Sequence, residues 1–74
     1  MTKDYEIRSY FKFPASDSLE ESLEYAASMF AQETEAFING RYRPIKNIRC
    51  TKIVIDNLGD KEVDVTLFGL CDVL

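Results

Sequence analysis

The sequence contains no histidine, no tryptophan and only two cysteines, and its three glycines stand apart from one another. Without histidine, the chain lacks the commonest general base and the commonest ligand of transition metals. Isolated glycines cannot form the glycine-rich loop that holds phosphate groups. The nearest approach to an activated nucleophile is Cys50 beside Lys52, and a structural thiol next to an exposed lysine explains that pair more simply. We therefore predict that the protein is not an enzyme and holds no metal ion and no cofactor.

Long apolar runs are also absent. Met1 to Asp4 leads straight into an alternating segment, without the apolar core of roughly 7–15 residues that a secretory signal contains. No run reaches the roughly 18 apolar residues of a membrane span. Two cysteines are too few for a secreted disulfide framework, so we expect two reduced thiols, with Cys50 opposite Leu67 and Cys71 opposite Lys46 in a hairpin. The sequence predicts a cytoplasmic protein without a membrane segment.

Charge is distributed unevenly along the chain, although the net charge is only −4. Positions 13 to 40 contain no lysine or arginine, and their acidic residues are Asp17, Glu20, Glu21, Glu24, Glu33 and Glu35. Positions 36 to 55 contain no acid, and their basic residues are Arg41, Arg43, Lys46, Arg49 and Lys52. Segregated charge shapes the electrostatic field that a binding partner meets.

The first half of the chain predicts a strand followed by a helix. Tyr5 to Phe13 alternates with the period of a half-buried strand, and Pro14 ends it. Ser18 followed by Glu21 forms a capping box, which indicates a helix start. At helical spacing, one apolar stripe contains Leu19, Leu23, Ala26, Phe30 and Phe37, with Thr34 at its edge. We expect this stripe to pack on the sheet and the helix to stop at Asn39-Gly40.

The second half predicts a connector and a hairpin. Positions 41 to 47 are typical of a connector, and positions 48 to 55 of a strand with a bulge near Thr51-Lys52. A turn at 56 to 61 leads to the most apolar strand, at 62 to 73. We therefore predict an α+β fold: a single β-α-β-β domain over residues 1–74, whose three-stranded antiparallel sheet has the order 1-3-2 and carries one helix on one face.

The helix offers the first candidate binding surface. Its acidic face is flanked by two larger side chains, and we predict a protein-binding site made of Glu20, Glu21, Glu24, Tyr25, Met29 and Glu35. The alternative is an ordinary solvated face that keeps the protein soluble. Glu33 and Glu35 fall in the predicted last turn, where negative charge opposes the helix dipole unless Arg41 and Arg43 neutralise it.

Two further surfaces lie elsewhere in the predicted fold. The sheet face turned away from the helix is either partly exposed to water or covered by another chain. In a homodimer, a symmetry mate would cover it at an oligomer contact made of Tyr10, Phe68, Leu70 and Leu74. A basic contact would be made by Arg41, Tyr42, Arg43, Lys46 and Arg49. This basic segment is compatible with RNA, but the negative net charge argues against direct nucleic-acid binding and favours pairing with the acidic helix.

The layout of the chain carries a resemblance. The layout consists of a strand, Pro14-Ala15-Ser16, a helix that begins with Ser18-Leu-Glu-Glu-Ser-Leu-Glu-Tyr-Ala-Ala27, and a terminal hairpin. This layout resembles that of small phage-encoded proteins that inhibit host RNA polymerase or CRISPR effector complexes. The resemblance implies an inhibitor or adaptor that docks its acidic helix face onto a larger host protein or nucleoprotein complex and acts by occlusion. The layout is also similar to that of dodecin, without the tryptophan that stacks flavin there. The resemblance to dodecin implies an alternative function, that of a homo-oligomeric structural or small-ligand-binding module that uses the outer sheet face.

Overall fold

A computed structural model describes residues 4–74 and shows an α+β fold with one helix and a four-stranded antiparallel sheet. The prediction that concerned Met1–Lys3, the absence of a secretory signal, lies outside the described residues. The elements are β1 (Asp4–Pro14), α1 (Leu19–Ala31), β2 (Glu35–Ile38), β3 (Arg41–Leu58) and β4 (Glu62–Val73). The strand order is β1-β4-β3-β2, so the predicted three-stranded sheet lacked one strand, β2, at its edge.

The start of the helix follows the predicted capping chemistry, but its end does not. Ser18 is the N-cap, and its hydroxyl accepts a hydrogen bond of 3.4 Å from the Glu21 backbone N–H. The helix ends at Ala31 rather than at Asn39-Gly40, with Gln32 as its C-cap. The apolar stripe stops at Phe30 because the next positions of that face are Glu33 and Thr34, which cannot extend the core contact.

Asn39 and Gly40 close a two-residue β-hairpin between β2 and β3. Ile38 pairs with Arg41 across this turn, and both turn residues have positive φ, 52° for Asn39 and 84° for Gly40. Asn-Gly is the preferred pair for a hairpin turn that needs positive φ at both positions. The prediction of a connector at 41 to 47 was therefore wrong, because this segment is the first part of β3.

Strand β3 is long and irregular, and it joins the two halves of the sheet. Its pairing with β4 shifts register between Lys46 and Arg49, between Cys50 and Lys52, and between Ile55 and Asn57. The second shift confirms the predicted bulge near Thr51-Lys52. Bulges bend a strand and strengthen its twist, so the first part of β3 can turn toward β2 while the rest pairs with β4.

The core has two parts on the same side of the sheet. Beneath the helix, Ala26 and Phe30 pack against the inner face of β4, in a buried cluster completed by Val63, Val65 and Leu67. The β2–β3 hairpin covers the other end, where the buried residues are Ile38, Ile45 and Cys71, with Tyr5 and Ile7 of β1 against them. The predicted inner face of β4 is confirmed, whereas Phe37 is 65% exposed because it belongs to β2 and not to the helix.

Strand pairing corrects the predicted neighbours of the cysteines. Cys50 lies opposite Gly69 rather than Leu67, and Lys46 lies opposite Asp72 rather than Cys71. Both thiols are free, with Cys50 exposed and Cys71 buried.

Over residues 4–74, no helix is long and apolar enough to cross a membrane.

Candidate protein-binding surfaces

The helix presents the acidic side chains of its predicted binding face to solvent. Glu20, Glu21 and Glu24 are exposed in its first two turns. Tyr25 is 57% exposed and Met29 39% exposed. Because side chains four residues apart are neighbours on a helix, Glu21, Tyr25 and Met29 form one row beside Glu20 and Glu24. We call these five residues the acidic helix face.

Glu33 and Glu35 follow the helix instead of ending it, and Glu35 is the first residue of β2. Both are exposed. The ion pairs among the described residues join Lys12 to Glu62, and Arg49 to Asp4 and Asp72. Arg41 and Arg43 therefore do not neutralise Glu33 and Glu35, contrary to one sequence-based explanation. Within residues 4–74, none of the glutamates named for the binding site has an ion-pair partner.

Two grooves lie beside β1, the first next to the helix and the second lined by consecutive residues that belong to both faces of the strand. The first holds about 430 Å³, and Phe13, Glu21 and Tyr25 are among its lining residues. Its walls meet where the rings of Phe13 and Tyr25 pack edge to face, with centroids 6.3 Å apart. The second holds about 580 Å³ between residues 6–10 of β1 and the segment from Glu33 to Phe37. Glu21 lines the first groove, and Glu33 and Glu35 line the second, whose β1 wall also carries Glu6 and Arg8.

The outer sheet face carries the predicted oligomer residues, but charged side chains surround the central ones. Phe68 lies between Arg8 of β1 and Lys52 of β3, and the Lys52 Nζ atom is 5.0 Å from the centre of the Phe68 ring. Leu70 lies between Glu6 and Arg49. Tyr10 and Leu74 are exposed at the margins. An apolar row flanked on both sides by charged side chains is typical of a solvent-exposed face of an antiparallel sheet.

The predicted basic contact is spread along β3 rather than gathered in a loop. Tyr42 packs on Phe37 with ring centroids 5.2 Å apart, which places both beside the second groove. Lys46 is exposed and Arg43 is half-buried. Arg49 is held by Asp4 and Asp72, and its hydrogen bond to Asp4 raises the pKa of the guanidinium above its ordinary value. The sequence predicted that the basic residues pair with the acidic helix, and this pairing does not occur among residues 4–74.

A polar network at the bulge of β3 was not predicted from the sequence. Asp72 is buried in β4 and accepts a 2.9 Å hydrogen bond from the Asn47 side-chain amide, while Arg49 donates to Asp4 at 2.7 Å. Asn47 has a φ of 55°, which asparagine tolerates better than most residues. Asp72 lies among the apolar residues at the end of β4, and a carboxylate buried there requires hydrogen-bonding partners.

The side chains that could support covalent chemistry are separated. The bulge between Cys50 and Lys52 directs Lys52 to Phe68 on the outer face, while Cys50 lies opposite Gly69 of the inner face. Burial raises the pKa of the Cys71 thiol above its ordinary value, Asp72 adds to the rise, and Arg49 opposes it. In the described part of the chain, no three side chains of metal-ligating type are grouped to hold a metal ion.

Similarity to known proteins was sought at three levels. Protein-family models, curated proteins and solved structures yield no match to this chain. The resemblance to phage-encoded inhibitors and the dodecin layout therefore stay predictions. The features of this chain that bear on its function are the acidic helix face, the two grooves and the charges around them.

Proposed function

We propose that the protein is a non-enzymatic binding module, an inhibitor or adaptor of the phage-encoded type. It docks the acidic helix face and Glu35 onto a larger host protein or nucleoprotein complex and acts by occlusion. The observation that carries this proposal is the set of exposed glutamates without an ion-pair partner among residues 4–74, although the chain contains nine lysines and arginines.

The arrangement of basic residues supports a role for the acidic face in binding. Intramolecular pairing would be the simplest use of opposite charges in a small protein, and it occurs here only at Arg49 and Lys12 within the described residues. Unpaired like charges on one face repel one another, and this repulsion is relieved when a basic surface approaches. A positively charged groove on the partner fits this face.

Two larger side chains give the charged face an anchor. Interfaces draw most of their affinity from a few buried side chains, among which tyrosine is enriched, while surrounding charges set orientation and association rate. Tyr25 stands at the first groove with more than half of its surface exposed, and Met29 lies one turn further along the same row. We infer that Tyr25 and Met29 are covered by the partner and that the glutamates steer it.

A basic groove that fits this surface would also suit a nucleic acid, so occupation by this protein would block the groove. The negative charge that the helix offers resembles a row of phosphates in sign but is carried by a folded scaffold. Occlusion follows from this competition and requires no chemical step. The partner is thus expected to be a protein with a positively charged binding channel.

The outer sheet face supports a second candidate function, that of a homo-oligomeric structural or small-ligand-binding module. Tyr10 is 68% exposed and Leu74 is 64% exposed, which favours a contact at the margins of this face. Light scattering of Leu74→Glu beside the unmodified chain tests it: a smaller oligomer in the variant is expected, and an unchanged oligomer, or a monomer in both, contradicts it.

The docking proposal is tested by capture from a lysate of the organism that encodes the protein. We expect one stoichiometric macromolecular partner on the tagged chain at low salt, weaker recovery at moderate salt, and none on the triple variant Glu20→Lys, Glu24→Lys and Glu35→Lys. Asp60→Lys, a single charge reversal in the exposed β3–β4 turn, is a control for position and should retain the partner. Circular dichroism checks that each variant is folded. Equal recovery on the folded triple variant contradicts the proposed surface.

A further inference from the structure

Strand β1 is a long edge of the sheet without a bulge. It pairs with β4 on one side only, and its eleven residues keep an unbroken register from Asp4 opposite Asp72 to Pro14 opposite Glu62. Proteins commonly protect sheet edges by making the strand short or by bulging it. The opposite edge, β2, has only four residues. The backbone groups on the free side of β1 therefore form a regular template for another strand.

The side chains of β1 also remain incompletely covered. Tyr5, Ile7, Phe11 and Phe13 point toward the core, yet each is only half-buried. The helix and the β2–β3 hairpin cover the inner face from above, and the grooves beside β1 mark where this cover stops. A strand added at this edge would cover the apolar surface that remains.

The sequence of β1 is complementary to itself when two copies run antiparallel about Ser9. This register brings opposite charges together at Glu6 and Lys12, twice because of the two-fold symmetry. It pairs the apolar side chains Ile7 with Phe11 and Tyr5 with Phe13, and places Arg8 opposite Tyr10, where a cation can lie over the ring. Cross-strand pairs of these kinds stabilise antiparallel strands. All eleven residues take part, from Asp4 opposite Pro14 to the central Ser9.

Other alignments of two β1 strands that also keep the helices on the same side of the sheet have less favourable cross-strand charge pairs or a shorter paired segment. Centring the pair on Arg8 sets two guanidinium groups opposite each other, and centring it on Tyr10 sets Arg8 opposite Lys12. Like charges directly opposite one another destabilise a strand pair. Centring it on Ile7 brings Glu6 opposite Arg8 but shortens the pairing to residues 4–10. The charges of β1 thus specify the register about Ser9.

We propose that the protein forms a homodimer in which the β1 strands of two copies pair antiparallel about Ser9. The two sheets then become one continuous eight-stranded sheet. A two-fold axis perpendicular to this sheet places both helices on the same side, so two acidic helix faces point in one direction. The Lys12–Glu62 ion pair does not prevent this contact, because both side chains are more than half exposed and Lys12 can turn to Glu6 of the partner copy. This dimer does not depend on the proposed docking function.

The self-complementary charges allow a test by charge exchange. Glu6→Lys sets lysine opposite lysine in a homodimer, and Lys12→Glu sets glutamate opposite glutamate. We expect each single variant to raise the dimer dissociation constant by about tenfold or more, as measured by sedimentation equilibrium. In a dimer of one variant with the other, the lysine introduced at position 6 lies opposite the glutamate introduced at position 12, and the native Lys12 lies opposite the native Glu6. An equimolar mixture of the two variants should therefore regain dimers of mixed composition.

Three outcomes would overturn this interface. The first is an unmodified chain that stays monomeric at every accessible concentration. The second is a dimer that survives both single variants, or is lost in Leu74→Glu instead, which would place the contact on the outer sheet face. The third is a mixture of folded variants that fails to form mixed dimers. Asp60→Lys carries the same charge change as Glu6→Lys and should dimerise like the unmodified chain, while circular dichroism confirms that all variants are folded.

Discussion

At the scale of single residues, Gly69 controls how closely the helix approaches the sheet. It lies in the middle of β4, and a Cβ atom built there would stand 2.6 Å from the Phe30 ring and 2.5 Å from the Arg49 carbonyl oxygen. Neither neighbour can move easily, because Phe30 is buried under the helix and the carbonyl belongs to the bulged part of β3. The absence of a side chain at this position is what allows Phe30 to fill the core.

Replacing Gly69 with alanine should therefore destabilise the fold. We expect Gly69→Ala to lower the free energy of unfolding by about 1–3 kcal/mol, the usual cost of overpacking a core. Urea unfolding followed by circular dichroism measures this loss. Lys61→Ala, in the exposed turn, is the control and should change stability by less than about 0.5 kcal/mol. A Gly69→Ala chain as stable as the unmodified one would show that the helix does not pack as described.

The two cysteines differ in burial and provide a matched pair for a pH experiment. The unfolded chain loses thiol protons above pH about 8.5, whereas burial keeps Cys71 protonated to higher pH in the folded state. When folding raises the pKa of a thiol, the free energy of unfolding is unaffected below the pKa of the unfolded state. It decreases as the pH rises from that pKa toward the pKa of the folded state. The loss attributable to Cys71 thus belongs to the alkaline range.

We expect the free energy of unfolding to fall as the pH rises above about 8.5, by up to about 1.4 kcal/mol per pH unit from this thiol. Cys71→Ala should lose less stability above that pH than the unmodified chain, even though it starts from a lower value. Cys50→Ala, which removes a thiol from an exposed position, is the control variant. Identical slopes in all three chains, from urea titrations at each pH, would show that Cys71 is not buried in the native protein.

At the scale of elements, local signals predicted β1, the helix start and β4, and failed between positions 32 and 47. Alternation in β1, the Ser18 cap and the apolar run of β4 each act within a few residues, so the sequence alone identifies them. Phe37 was misplaced because it continues the helical stripe by spacing, although Glu33 and Thr34 interrupt the stripe. Asn39-Gly40 suits both a helix end and a hairpin, since both need positive φ.

The exposure of the candidate surfaces was predicted to a similar extent. The glutamates of α1 are exposed where periodicity placed them, and Tyr25 and Met29 flank them as expected. Glu35 belongs to β2, the strand that was not predicted, whereas the predicted order 1-3-2 already placed β1 at an edge of the sheet. Sequence spacing within one element is local, whereas a sheet edge depends on the order of all strands.

The hairpin turn offers a test at this scale. Gly40 has a φ of 84° and nothing within 4 Å of the position of a Cβ, so an alanine there is penalised by backbone strain alone. We expect Gly40→Ala to cost about 1 kcal/mol of unfolding free energy. Asn39→Gly, which keeps positive φ accessible, should cost less. Equal stability of Gly40→Ala and the unmodified chain, in the same urea titration, would argue against this turn.

At the scale of the whole molecule, charge is sorted between faces rather than cancelled. The basic residues of β3 hold the bulge network or remain in solvent, and the glutamates of the acidic helix face keep their charge free within the described part of the chain. The dimer about Ser9 would place Glu20 and Glu24 of both copies on the same side of the joined sheet. A bivalent acidic surface gains affinity for a partner that offers two basic sites.

We propose that the acidic helix face binds a basic partner. The most direct test of this proposal is isothermal titration calorimetry of the captured partner with the unmodified chain and with the triple variant, at low and at moderate salt. We predict binding that weakens as salt rises, and at least about tenfold lower affinity for the triple variant at low salt, with Asp60→Lys unchanged. Equal affinity of the folded triple variant and the unmodified chain would contradict the claim.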